Sequence, residues 1–291
     1  MTYLEERVKI ADFNRLWEEA ITLPDGSYSR RQTDDEAERE FWKGFMGRKR
    51  SYQRDDTAET VMEAVRKLLA DCRTASILEI GPGWGNYTME LAKLCGRMTC
   101  VDISPEVLSY IDQTAREQEI RHVTGGCSKW ETFSSAERYD VVFGYNCFYR
   151  MRSLEECFRK MNETAEKMCI AGMNMGFMPP YYMEMKRELG CRLTYGQKDM
   201  IYFINVLYAM GIDAGMTVIP LKKKFLYDDL EQMVLGETSR VDAGADWVKD
   251  HKEQISQILQ NYFRYNEEGK LEYEYSFRGA LVYWKPMEQL S

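Results

Sequence analysis

Ser76-Ile77-Leu78-Glu79-Ile80-Gly81-Pro82-Gly83-Trp84-Gly85-Asn86-Tyr87-Thr88 is the stretch that decides the fold. An apolar run with an acid near its end passes directly into Gly-x-Gly-x-Gly, and helical sequence follows. Glycine lets the backbone turn sharply and lets a ligand approach closer than any Cβ would permit. A helix start beyond such a turn offers free N–H groups and a partial positive charge to a ligand carboxylate. The turn gains its meaning from the next strand, Met98-Thr99-Cys100-Val101-Asp102, which ends in an acid. In a parallel sheet a carboxylate at that tip accepts hydrogen bonds from a ribose diol.

Outward from this stretch, short β-rich runs alternate with helical segments, the pattern of a mostly parallel sheet covered by helices. Strands are expected at Ser76–Ile80, 98–102, 122–125, Tyr139–Tyr145 and 168–172, with helices at 87–94, Pro105–Glu117 and 154–166. A long aromatic connection, 174–195, leads to a helix at 197–210 and a sixth strand at 217–221. Charged, partly helical sequence fills 225–265, and a two-stranded ending is expected, with 273–276 near a strand at 279–284. Residues 1–72 read as a charged helical lead-in with breaks at 23–26 and 51–56. Within it, 57–69 places Val61, Ala64, Val65, Leu68 and Leu69 on one face, and Asp56 or Thr57 is the expected cap. The fold class is α/β: a Rossmann-like, mostly parallel sheet flanked by helices, with a helical N-terminal lead-in and a partly helical insert before the last strand.

A chain of 291 residues, 44% hydrophobic and 30% charged, has room for one large α/β core and an extra lobe. Its net charge of -8 and pI near 5.1 argue against nucleic acid as a partner, since phosphate binding calls for a basic face. The basic runs, Arg48-Lys49-Arg50 with Arg54 and Lys222 to Lys224, are short enough to be solvated helix or strand ends. The start, Met1-Thr2-Tyr3-Leu4-Glu5-Glu6-Arg7, shows no apolar stretch behind a basic cap, so a cytoplasmic protein is expected. The most apolar run, 168–178, is too short to span a bilayer, so no membrane partner is expected. Eight cysteines form no C-x-x-C pair and read as buried thiols, and with two histidines a metal site is not expected.

The residues of the glycine turn and of the two strands around it resemble the class I S-adenosylmethionine-dependent methyltransferase family, over about 77–172. The resemblance implies an S-adenosylmethionine-binding core at 73–222, a lid at 1–72, and a C-terminal part, 223–291, that completes the sheet. It implies that Glu79, Gly81, Gly83 and Gly85 line the methionine end of the cofactor, that Asp102 holds the ribose, and that Ile103 touches the adenine. The family places an acid or amide after the third strand to meet the adenine amine. Here the segment reads Gly125-Gly126-Cys127-Ser128-Lys129-Trp130, so Ser128 or a backbone group is left to serve.

At the end of the fourth strand, Tyr145, Asn146 and Tyr149 are the candidates for the acceptor, with packing as the alternative reading. The segment lacks the Asn/Asp-Pro-Pro-Tyr tetrad of enzymes that methylate amino groups of bases or glutamine, which disfavours such substrates. The lead-in, with Phe41-Trp42, the basic run and Ser51-Tyr52, resembles small-molecule members whose first helix folds over the cofactor, and Tyr52 is the expected lid contact. Phe177, Tyr181, Tyr182, Tyr195, Tyr202 and Phe203 fall where the family borders its acceptor pocket, and Tyr181 is the residue chosen from them. Aromatic walls attract a sulfonium and exclude water, although core packing explains such residues equally well.

Methyl transfer from a sulfonium is a direct displacement, which needs alignment and desolvation and no metal. No general base is assigned; Glu184, Tyr145 and Tyr149 are the residues to consider. A nicotinamide-dependent oxidoreductase fits less well, because the third glycine of its fingerprint falls at Asn86. A non-catalytic cofactor-binding protein and an aminopropyl or aminocarboxypropyl transferase stay open as alternatives to methyl transfer onto a small molecule.

Overall fold

Short Val-, Ile- and Leu-rich runs, each closed by glycine or a polar cap, assemble in the computed structural model into a central sheet between helical layers. The structure describes residues 12–287 except 24, 49–51, 71, 73, 194–198, 239–240 and 243–244. The readings on the chain's start and on Lys49, Arg50, Ser51 and Tyr195 lie outside the described residues.

Helices Phe13–Ala20, Arg30–Thr33, Asp35–Arg48 and Ala58–Leu69 come first. Strand β1 (Ser76–Ile80), helix Thr88–Ala92, β2 (Arg97–Asp102), helix Pro105–Glu117 and β3 (Val123–Cys127) follow. After β4 (Tyr139–Tyr145) come helix Leu154–Thr164 and β5 (Ala165–Met175). Helix Pro180–Leu189, β6 (Arg192–Leu193), helix Met200–Ala209 and β7 (Gly215–Tyr227) are next. The chain continues with helix Leu230–Thr238, β8 (Val241–Asp242), helices Ala245–Asp250 and Lys252–Gln260, β9 (Arg264–Tyr265) and β10 (Leu271–Trp284).

The main sheet has the order β3-β2-β1-β4-β5-β10-β7, with β9 on the start of β10. Pairs among β1 to β5 are parallel, whereas β10 runs antiparallel to β5 and to β7. Strand order reverses between β1 and β4, so the crevice for a ligand opens outside their carboxyl ends. Both strands are buried at every position, as helices covering both faces require. The two faces are packed by separate clusters. Val61, Val65, Met89, Val107 and Ile111 belong to one, and Trp17, Phe148, Phe158, Phe203 and Trp284 to the other. The Trp17 indole donates to the Met151 carbonyl at 2.8 Å, which pins the lead-in to the core.

Several sequence expectations are corrected. The expected endings at 273–276 and 279–284 are one continuous strand, β10. Gly279, expected as the first residue of the second of these strands, is a packing site: a Cβ there would collide with the Tyr145 hydroxyl and the Leu221 side chain. The connection 174–195 contains helix Pro180–Leu189, because a proline at the first turn starts a helix instead of breaking it. Strand β7 runs on to Tyr227, so the boundary expected at 222/223 falls inside a strand. Its lysines form cross-strand pairs, Lys222 with Glu274 at 2.7 Å and Lys224 with Glu272 at 2.8 Å. Neither Asp56 nor Thr57 caps helix Ala58–Leu69 through its side chain. Among the thiols Cys100, Cys157, Cys169 and Cys191 are buried, but Cys127 is exposed, because β3 is an edge strand.

Helices Pro180–Leu189, Leu230–Thr238 and Lys252–Gln260 pack with β6 and β8 into a third apolar cluster, which includes Tyr181, Tyr182, Phe225, Met233, Ile255 and Phe263. At its centre the buried Glu237 accepts from the hydroxyls of Tyr181 and Tyr182, each at 2.7 Å, and of Tyr227. A buried carboxylate so supplied with donors is satisfied and serves the lobe's packing.

Candidate functional site

At the carboxyl ends of β1, β2 and β4 lies a cavity of about 830 Å³. Its floor is the glycine turn. Gly81 and Gly83 have φ of +58° and +55°, a region that L side chains avoid. A Cβ on Gly81 would stand 2.7 Å from the Cys147 Cβ, and one on Gly83 would stand 3.2 Å from the Trp42 ring. Both glycines border the cavity, whereas Gly85 does not. Gly85 packs on helix Pro105–Glu117, where a Cβ would stand 2.8 Å from Ile111 Cδ1. Glu79 also lies outside the cavity wall. It accepts from the Thr88 hydroxyl at 2.6 Å and so ties β1 to the helix beyond the turn. Burial pushes its carboxyl up to about 7, against the pull of Thr88 and Cys100.

Asp102 stands at the tip of β2, 6% exposed, and faces the cavity. Its Oδ1 accepts from the Ser104 N–H at 2.9 Å. Burial pushes its carboxyl up to about 7, the Ser104 N–H works against the rise, and the charge of Glu38 adds to it. Ile103 and Ser128 line the same wall, and the Ser128 N–H donates to the Asp102 carbonyl at 3.0 Å.

Opposite this wall the lead-in supplies Arg31, Asp35, Glu38 and Trp42. Glu38 is 1% exposed and accepts from four donor groups. They are Arg31 Nε at 2.7 Å, Arg31 Nη2 at 3.0 Å, the Trp42 indole at 2.8 Å and the Tyr149 hydroxyl at 2.6 Å. Burial alone would raise this carboxyl, but the bonds from Arg31, Tyr149 and Trp42 hold it below its ordinary value. Trp42 is the aromatic that covers the glycine turn. Tyr52, expected as the lid contact, is not in the cavity wall; its hydroxyl donates to the Gly85 carbonyl at 2.8 Å and braces the turn from outside. Burial pushes the Tyr52 phenol up to about 12.

Tyr145, Asn146 and Tyr149 all reach the cavity, but both phenol hydroxyls and the Asn146 Oδ1 are committed to protein partners. The Tyr145 hydroxyl donates to Asn174 Oδ1 at 2.8 Å, and Asn146 Oδ1 accepts from the Asn174 N–H at 2.8 Å. Asn146 has φ +55°, a left-handed conformation that asparagine tolerates better than most residues. Burial drives both phenols upward, that of Tyr149 further with the Glu38 charge beside it. Beyond Asn174 a second cavity of about 310 Å³ is lined by Arg54, Asp55, Phe177, Lys223 and Phe277 among others, and Asp55 borders both cavities.

Tyr181 is not part of the site: it is wholly buried in the third cluster and donates to Glu237. Glu184, on the same helix, accepts from the Tyr262 hydroxyl at 2.6 Å and lines neither cavity. Sequence reasoning missed Arg31, Asp35, Glu38 and Arg150. The helical spacing of Asp35, Glu38 and Trp42 does place them on one face, but a charged helix in front of a core reads as solvated. Among the described residues no group of three or more His, Cys, Asp or Glu side chains is arranged to hold a metal ion.

A family profile described as a methyltransferase domain matches residues 77–167. Nodulation protein S of Bradyrhizobium diazoefficiens is 30% identical over 95 residues, covering 32% of this chain and 44% of that protein. The malonyl-acyl-carrier-protein O-methyltransferase of Bacillus cereus is 28% identical over 126 residues, 41% of this chain and 46% of that protein. The match thus spans less than half the length of these curated relatives. Among solved structures, the YcgJ protein of Bacillus subtilis superposes with a TM-score of 0.52 at 13% identity. That superposition covers 79% of this chain and 99% of the YcgJ chain, a likeness of fold. Residues 77–167 are accordingly a methyltransferase domain of the class I, Rossmann-like type.

Proposed function

We propose that this protein transfers the methyl group of S-adenosylmethionine to a small-molecule acceptor by direct displacement. The observation that carries the reading is Asp102, a buried carboxylate at the tip of β2 that shares one cavity with the glycine turn. The residues present fit the cofactor, since Gly81 and Gly83, both at positive φ, line the same cavity as the Asp102 carboxyl. Asp102 is the group for the ribose hydroxyls, Ile103 and Ser128 border the base, and Trp42 covers the turn. When bound, S-adenosylmethionine supplies an electrophilic methyl on a positively charged sulfur.

The chain's own contribution is to align the acceptor and keep water away. Tyr145, Asn146 and Asn174 form a braced wall, and the second cavity behind it is our choice for the acceptor chamber. Neither Tyr145 nor Tyr149 is a base at neutral pH, because burial keeps both phenols protonated and both hydroxyls donate to protein acceptors. The acceptor therefore arrives neutral or gives its proton to solvent. The net charge of -8 leaves no role for nucleic acid in this reading, which keeps the protein in the cytosol. Among the described residues no helix is long and apolar enough to cross a membrane.

Incubation with methyl-labelled S-adenosylmethionine and a panel of small amines, alcohols and thiols, followed by mass spectrometry, tests the proposal. A product heavier by one CH2 is expected. Transfer of an aminopropyl or aminocarboxypropyl group, or failure of S-adenosylhomocysteine to bind, overturns it.

A further inference from the structure

Past Asp102 the cavity continues along Ile103 to the loop after β3, where Ser128 and Lys129 face Asp35 and Arg150. A nucleoside with its ribose on Asp102 sends its base into this end, because Ser128 is joined directly to the β2 tip through the Asp102 carbonyl. The Ser128 hydroxyl is engaged within its own loop, at 3.0 Å from the Lys129 carbonyl and 3.2 Å from Thr132 Oγ1.

Besides Glu131 of the same loop, a carboxylate in this corner comes from elsewhere in the chain. Asp35, the first residue of helix Asp35–Arg48, holds Lys129 Nζ at 2.8 Å through Oδ2 and Arg150 Nη2 at 2.8 Å through Oδ1. A carboxylate oxygen accepts two hydrogen bonds, so each oxygen keeps capacity for a ligand. The side chain is one third exposed, at 33%, and lines the cavity. Beside it the Arg150 Nε is buried with no hydrogen-bond partner. An unspent donor next to a carboxylate complements the adenine edge, which offers an amine donor beside a ring-nitrogen acceptor; a 6-oxo purine presents an acceptor in place of the amine.

We infer that Asp35 reads the base of the cofactor by accepting a hydrogen bond from the exocyclic amine of adenine. The lead-in helix then supplies an acceptor fixed by two cations, where Ser128 is already engaged in its own loop and Glu131 of that loop also lines the cavity. The inference rests on the cofactor reading above. It also gives the helix a task in specificity, since its docking through Lys129 and Arg150 completes the base site.

Calorimetric titration of the full chain with S-adenosylhomocysteine and with S-inosylhomocysteine, which carries oxygen in place of the amine, is the test. Wild type binds the adenine compound about ten-fold more tightly or better, as expected when a carboxylate acceptor is left facing an oxygen. In Asp35→Asn the amide NH2 donates to the oxygen, so the preference shrinks by about ten-fold or reverses. A loosened helix weakens both ligands alike and leaves their ratio untouched, so the ratio separates base reading from structural damage. Equal binding of the two compounds by wild type, or an unchanged ratio in Asp35→Asn, overturns the inference and leaves the cofactor reading standing. If wild type binds neither compound, the cofactor reading falls and takes this inference with it.

Discussion

The two walls of the main cavity are built on different principles. One is backbone: β1, the glycine turn and β2 meet with no room for added atoms at Gly81, and the only charged side chain it aims at the ligand is Asp102. The other is a set of side chains on helix Asp35–Arg48 and the segment before it, gathered on a buried carboxylate, Glu38, and on Asp35. A wall of backbone in a parallel sheet is held by its ladders and does not adjust. A wall of side chains is held by charge-assisted hydrogen bonds, each of which contributes modestly and opens separately. The comparison teaches that the ligand's position is set by the sheet, while its enclosure is set by the lead-in.

The contrast can be broken first at Gly81. Its positive φ and the Cys147 Cβ beside it mean that Gly81→Val loses on the order of 3 kcal/mol of stability, read by denaturant unfolding. A variant with the wild-type midpoint denies that the backbone wall is rigid. The second point is Glu38→Gln, which keeps the shape but sets an uncharged amide among donors. It lowers stability by about 2 kcal/mol and speeds release of S-adenosylhomocysteine. Unchanged stability together with an unchanged off-rate, measured by thermal melts and stopped flow, removes Glu38 as the hub of that wall.

The smallest effect is a pH dependence. Burial pushes the Asp102 carboxyl up to about 7 in the free protein, and the ionised form accepts from two ribose hydroxyls more strongly than the protonated form, whose proton occupies one oxygen. Binding therefore lowers this pKa and releases a proton. Affinity is full above about 7 and is lost as the pH falls through it, to roughly ten-fold weaker one unit below. Calorimetry between pH 6 and 8 in buffers of different ionisation enthalpy checks both the slope and the proton. A flat profile means the carboxylate does not meet the ligand.

What the sequence discloses follows the same division. β1, β4 and helix Pro105–Glu117 have the bounds read from their residues, because apolar runs, the Ser104 cap and Pro105 are local signals. Asp102 is legible for the same reason, being the last residue of a strand. The side-chain wall is not legible, since nothing local distinguishes Glu38, buried under four donor groups, from a solvated glutamate on a charged helix. Tyr52 and Tyr181 are aromatics in the expected segments, yet one braces the turn from behind and the other feeds Glu237 in the C-terminal lobe. Which way an aromatic faces is decided by tertiary packing, and the continuous β10 depended likewise on Tyr145 filling the space at Gly279.

The most direct measurement is calorimetric titration of Asp102→Ala with S-adenosylhomocysteine beside wild type, with thermal melts of both. Loss of a charge-assisted hydrogen bond, about 1.5 to 3 kcal/mol, predicts binding weaker by roughly ten- to a hundred-fold. The melting temperature should change little, because the carboxylate faces the crevice beyond the strand ends. A folded Asp102→Ala protein that binds as tightly as wild type would contradict the placement of the cofactor's ribose at the tip of β2.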